Sequence, residues 1–498
     1  MKLKLFPIAM VCLSISVQAE LRLSSLITDH AVLQRDSPIH VWGEASPAEK
    51  VTITFHAQSV ATAANQLGLW DAWLKPEPAG GPFTLTVHGS SELTRSDLLV
   101  GDVWFASGQS NMEMPLGGFP PQAHINNADQ EIAQADLPQV RLLRMEKKSS
   151  AYPLAGITAV WQPCTPSTAK DFSAVAYFFA REISRREHVA IGVIDSSWGG
   201  TPIDAWISLD ALSADASLMP TFAARAHIAD SQTHLDLIES AEKRADADAA
   251  AHHTAAPSHP WHPDPSSWIP AALYNGMVAP FTPYTIKGFL WYQGETDSAS
   301  DRVGLYAKLL PTLIADWRRQ WGQGNLPFLF VQISNFESPG ENWGLIRDSQ
   351  RRSLDVVNTA MAVTLDVGQR DNVHPPDKQT VGARLALGAR ALVYGEAGVE
   401  FSGPVYRQTT REDGGLRIWF DHAEGLQKRG ATLEGFEVAG PDGHFVPAAA
   451  TVQGTTVVVS SPSGIEPTQV RYAWQSFTDA NLYNGATLPA STFVARVP

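Results

Sequence analysis

A chain of 498 residues, 44% hydrophobic and 18% charged, has a globular composition and the length for two or three domains. Its formal charge of −14 argues against nucleic acid and other polyanions as partners. After the N-terminus, no apolar run approaches the roughly 20 residues that a membrane-spanning helix needs.

Residues 1–19 read as a signal peptide. Lys2 and Lys4 form a basic start, residues 5–17 are largely apolar, and Val17-Gln18-Ala19 ends on small residues. Cleavage after Ala19 would remove these two lysines, taking the charge from −14 to −16, and would leave a protein that is exported, periplasmic or secreted. Cys12 leaves with this segment. Cys164 then has no intramolecular partner, so a disulfide framework is excluded, and its setting between Pro163 and Thr165-Pro166 predicts a packed or loop thiol.

Residues 20–100 alternate short apolar runs with Gly, Pro and Asp, as in Ile39-His40-Val41-Trp42, and predict a β-sandwich-like domain. Over 101–398 the texture changes to strands alternating with helices, the pattern of a parallel sheet covered on both faces in a three-layer α/β/α domain. About five strands are predicted, over 103–106, 189–194, 286–292, 328–333 and 360–365. Helices are predicted over 174–186, 306–321, 345–357 and 378–394. A helical insertion is expected near 210–270, with an Ala/Asp/His-rich stretch followed by a proline-rich loop over 257–265. Its histidines, His234, His252, His253, His259 and His262, lack metal-ligand spacing and predict solvated surface groups, with no metal. Residues 399–498 return to β texture.

Ser110, in Gly108-Gln109-Ser110-Asn111-Met112, directly follows the first predicted strand. A strand-then-turn setting presents a serine hydroxyl at the C-terminal edge of a sheet, where open α/β folds place their sites. A hydroxyl becomes a good nucleophile only when an imidazole takes its proton, and the imidazole needs a group to hold its tautomer. Asp371-Asn372-Val373-His374 offers both, so Ser110, His374 and Asp371 are the expected triad. Met112 stands where Gly-x-Ser-x-Gly would have its second glycine, and acid and histidine share one loop, which points away from the lipase-type arrangement. Ester hydrolysis also needs donors for an oxyanion. The N–H of Ser110, a backbone N–H of the Gly199-Gly200 turn after the second strand (Gly200 or its neighbour Gly199) and the Gln293 amide after the third are the candidates. Trp198, Trp206 and Trp291, in or beside these loops, are candidates for stacking on sugar faces.

The segments Gly108-Gln109-Ser110-Asn111-Met112-Glu113 and Trp291-Tyr292-Gln293-Gly294-Glu295 resemble hallmarks of the sialate O-acetylesterase family of SGNH (GDSL-type) hydrolases. Further resemblances run from Ala31-Val32-Leu33-Gln34-Arg35 and Ala79-Gly80-Gly81-Pro82-Phe83, through Ser196-Ser197-Trp198-Gly199-Gly200-Thr201-Pro202 and His374-Pro375, to Asn481-Leu482-Tyr483-Asn484. One departure is Thr296-Asp297, where the family commonly has Ser-Asn. The resemblance implies the same triad and oxyanion donors, no cofactor, and an acetylated carbohydrate as substrate, whether sialic acid or a plant cell-wall glycan such as xylan or xyloglucan. An esterase for another acyl group and a non-catalytic carbohydrate-binding protein are the alternatives. The oligomeric state is not encoded in these patterns.

Overall fold

The computed structural model describes residues 20–120, 123–257, 259, 262, 264–462 and 466–497, with the side chains of 224–234 excepted. The expected signal peptide, with Cys12, and the side chain of His234 therefore lie outside the described residues.

A single strand, β1 (Glu92–Gly108), organises the molecule. Its first half pairs antiparallel with Gly80–His88 in the N-terminal β region, and its second half is the centre of a parallel sheet. The strand runs without a break through residues 100 and 101, where the sequence texture changes. Exposed and partly buried residues alternate up to Asp97, and from Leu98 to Gly108 every residue is buried, as expected where a sheet leaves a solvated face and becomes covered on both sides.

The other sheet strands are β2 (Leu137–Arg144), β3 (Gln162–Cys164), β4 (Ala190–Ser197), β5 (Gly288–Tyr292), β6 (Phe328–Gln332) and β7 (Thr359–Val363). Their order is β3-β2-β4-β1-β5-β6-β7, with all but β3 parallel. The expected strands lie within or beside these spans. The sheet has two strands more than the predicted five because the short β3 and β2 were not legible: Pro138, Gln139 and Arg141 interrupt the apolar pattern of β2. Arg141 is nevertheless buried, with its charge met by Asp97 at 3.1 Å.

Helices α1 (Ser110–Glu113), α2 (Ala174–Glu187), α3 (Pro220–Ala251), α4 (Val303–Trp321), α5 (Trp343–Arg352) and α6 (Lys378–Leu392) surround the sheet or connect its strands. Neighbouring residues of β1 show the layering. Trp104 packs edge-on against Phe179 of α2 with ring centroids 4.9 Å apart, whereas Phe105 meets Trp317 and Trp321 of α4 at 5.5 and 5.3 Å. Successive side chains point to opposite faces of a strand, so helices cover both sides and the α/β/α expectation holds.

In the insertion, His259 and His262 reach back to Asp246 and Glu242 of α3 at 2.9 and 3.2 Å, which straps the proline-rich stretch onto the helix. Cys164 is buried, and burial pushes its thiol up to about 12, so it is an inert packing group. The C-terminal region forms antiparallel sheets. It is tied to the parallel sheet through fully buried Arg347, which donates to the carbonyls of Ile333 and Ser334 on one side and Gln475 and Ser476 on the other.

Candidate active site

Strands β4, β1 and β5 are adjacent, and the loops after them meet at one rim, at the point where the connections from β1 to β2 and from β5 to β6 leave in opposite directions. β1 ends on Gly108, whose φ of +141° suits glycine, and a Cβ there would lie 2.1 Å from the Tyr292 carbonyl oxygen. The chain then turns into α1 with Ser110 as first residue, partly exposed. Ser110 Oγ lies 2.8 Å from His374 Nε2. The structure thus joins two residues 264 positions apart.

The two loops are stitched together beneath the surface. Asn111 Nδ2 donates to Glu295 Oε1 at 2.6 Å and to the Val373 carbonyl at 3.0 Å, and Asn111 Oδ1 accepts from Lys378 Nζ. Because Val373 immediately precedes His374, Asn111 fixes the histidine loop to the Ser110 turn. Gln109 Oε1 accepts from the N–H groups of Gly294 and Thr296, tying in the loop after β5.

Asp371 is not brought to this pair. It is exposed and makes no hydrogen bond or ion pair with His374, while the neighbouring Asn372 side chain accepts the His374 backbone N–H at 2.9 Å. This local turn occupies the loop interior with Asn372 and leaves Asp371 in water. The observed constellation is therefore a Ser110–His374 pair, with Phe119 packed edge-on against the imidazole at 5.6 Å.

The oxyanion candidates separate in the same way. Gln293 is fully buried, and its amide nitrogen donates to the Thr201 carbonyl and to Asp297, which commits both hydrogens and leaves none for a reacting oxygen. Gly199 donates its N–H to Glu113 Oε2 at 2.6 Å. The N–H groups of Ser110, at the start of α1, and of Gly200 have no hydrogen-bond partner among the described residues. Trp206 and Trp291 are fully buried, edge to face at 6.0 Å, and offer no face to a sugar. Trp198 is half-buried beside Lys147, 5.8 Å from its ring, and is the one of the three at the site's edge.

A family model described as carbohydrate esterase, sialic acid-specific acetylesterase, matches residues 255–390, a span that holds β5, β6, β7 and His374. Sialate O-acetylesterase from Rattus norvegicus is 30% identical over 529 residues, covering 96% of this chain and 94% of the relative. The chain belongs to the sialate O-acetylesterase family. The Homo sapiens relative of the same name is also 30% identical, with 96% and 92% covered. The crystal structure of a carbohydrate acetylesterase from Xanthomonas citri superposes with a TM-score of 0.82 at 35% identity, covering 96% of this chain and 99% of that one. The protein is thus a carbohydrate esterase built on the SGNH-type fold, and among the described residues no helix is long and apolar enough to cross a membrane.

Burial, reinforced by the nearby Lys378 charge, pushes the His374 imidazole of this esterase down from 6.5 to about 4. It is neutral, and able to accept a proton, over nearly the whole working range. An unperturbed imidazole would place the acidic limb near pH 6.5. The expected profile is instead level from neutral pH down to about pH 5, falling only as His374 takes up a proton near 4. Initial rates of acetate release across pH check this. Because the folded value lies below the unfolded one, the unfolded chain binds the extra proton first, and stability falls as pH drops from about 6.5 through 4.

Proposed function

We propose that this esterase removes acetyl groups from sugars through a covalent acetyl-Ser110 intermediate. His374 Nε2 takes the proton from Ser110 Oγ as that oxygen attacks the acetyl carbonyl carbon. The carbonyl electron pair moves onto oxygen and is received by the N–H groups of Ser110 and Gly200. Collapse of the tetrahedral intermediate expels the sugar oxygen, which takes the proton from His374. Water then repeats the sequence and releases acetate. The observation that carries the reading is the 2.8 Å contact between Ser110 Oγ and His374 Nε2, and a non-catalytic sugar-binding protein has no use for it. On the same reading residues 1–19 direct export, and the substrate is an acetylated sialic acid or a plant cell-wall glycan. Acetate release from a panel of acetylated sialic acids, xylan and xyloglucan tests this, and faster turnover of butyrate than acetate esters would reassign the acyl group.

In this scheme Asp371 has no contact with the base. Asp371→Asn is expected to lower turnover by less than about tenfold, far short of the roughly 10⁴ loss seen where an aspartate holds the imidazole. Measuring kcat for this variant decides between a working pair and a triad assembled on substrate binding.

A further inference from the structure

The loop after β4 is held at successive atoms. Trp198 N–H donates to the Gly108 carbonyl at 3.0 Å, Gly199 N–H to Glu113 Oε2 at 2.6 Å, Trp268 Nε1 to the Gly200 carbonyl at 2.7 Å, and Gln293 Nε2 to the Thr201 carbonyl at 3.1 Å. The backing is close. A Cβ on Gly199 would stand 3.1 Å from both Ser110 Cβ and Glu113 Oε2, so the loop presses directly on the nucleophile turn. Glu113 lies three residues after Ser110, in the same short helix, and is 8% exposed. Its other oxygen, Oε1, meets Lys147 Nζ at 2.6 Å.

A carboxylate beside an oxyanion site needs a reason, since an uncompensated negative charge there opposes the charge that develops in the transition state. The geometry supplies one. An ionised acceptor makes a short, strong bond to a backbone N–H, and this one engages the Gly199 N–H. We infer that Glu113 is the positioning residue of the oxyanion loop, fixing the Gly199 peptide so that the Gly200 N–H is offered to the reacting oxygen, while Lys147 cancels its charge. Neither residue touches substrate in this scheme. The inference rests on the acetyl-Ser110 reading and adds to it a division of labour: Glu113 supplies geometry and Lys147 supplies neutrality.

That division makes an unusual prediction for a double-mutant series measured on a small chromogenic acetate ester. Glu113→Ala is expected to lower kcat by about 10- to 100-fold with KM changed less than about threefold, because the loss falls on transition-state charge. Glu113→Gln keeps an acceptor for Gly199 without the charge and is expected to stay within about threefold of wild type. Lys147→Met leaves a bare carboxylate beside the oxyanion and is expected to lower kcat by about tenfold. Combining it with Glu113→Gln should restore the rate to that of Glu113→Gln alone, since there is then no charge to cancel. A purely structural ion pair predicts no such recovery. The inference is overturned if Glu113→Ala retains wild-type kcat, if its loss lies in KM, or if the double variant is no faster than Lys147→Met. Should Glu113→Ala fail to fold, the other three proteins decide the matter, because Lys147 is 43% exposed and Glu113→Gln preserves shape. Failure of the wild type to turn over the ester would instead remove the acetyl-Ser110 reading itself.

Discussion

Ser110→Ala is expected to fold and melt as wild type does and to release acetate at a rate lower by about 10⁴-fold or more. The structural half follows from the environment. Ser110 is partly exposed at the start of a four-residue helix, and the hydrogen bond of its hydroxyl is to His374, so truncation opens no core cavity and strands no buried donor. The chemical half follows from covalency. Without Oγ there is no acyl-enzyme, and the residual rate is what binding and the oxyanion donors give to direct attack by water. His374→Ala should cost nearly as much, and the double variant little more than either single one, because the two groups act as a unit. A Ser110→Ala protein within about tenfold of wild type would show that the ester is cleaved by something else.

The parts of this molecule that were legible in its sequence are those with one-dimensional signals. Short apolar runs after turn residues located β1, β4, β5, β6 and β7, and the chemistry of Ser110 and His374 marked the pair that the fold joins. Spacing placed Asp371 three positions before His374, but it does not reveal that the Asn372 side chain caps the turn and the carboxylate faces water. Trp206 and Trp291 looked like ligand platforms because a sequence does not say which face of a loop or strand is covered, and helix α4 covers Trp291 through Trp317 at 5.5 Å. The partners of Gln293 were not legible, since its use of both amide hydrogens depends on Thr201 and Asp297 folding around it. Glu113, Asn111 and Glu295 stood in plain view inside the hallmark segments, but their roles are set by contacts with Lys147 and Lys378. Lys147 follows the unrecognised strand β2, so missing the strand hid the cation that it carries to the rim.

Lys378→Met is expected to move the acidic limb of the pH profile upward and to weaken the fold. Lys378 is fully buried; its ammonium donates to Asn111 Oδ1 and lies 5.5 Å from the Tyr292 ring. Burial pushes it down to about 7, so it carries its charge over just the acidic range where an ordinary imidazole would take up a proton. Two groups feel that charge. His374 is held down by burial first and by Lys378 second, so removing the cation should raise its value above about 4 without restoring 6.5, because the burial remains. Glu295, buried and pushed upward, draws compensation from the same ammonium and from Asn111 Nδ2. With methionine in place, Glu295 must stay charged without its cation or take up a proton, and Asn111 Oδ1 loses a donor, a cost of about 3 kcal/mol by comparison with other broken buried charge pairs. Lys378→Arg is the control, since it keeps the charge while changing the shape. Profiles of kcat/KM against pH, taken with denaturant melts of the same three proteins, separate the effects. If the limb of Lys378→Met coincides with that of wild type, burial alone keeps His374 neutral and the lysine serves only to join the nucleophile turn to the histidine loop.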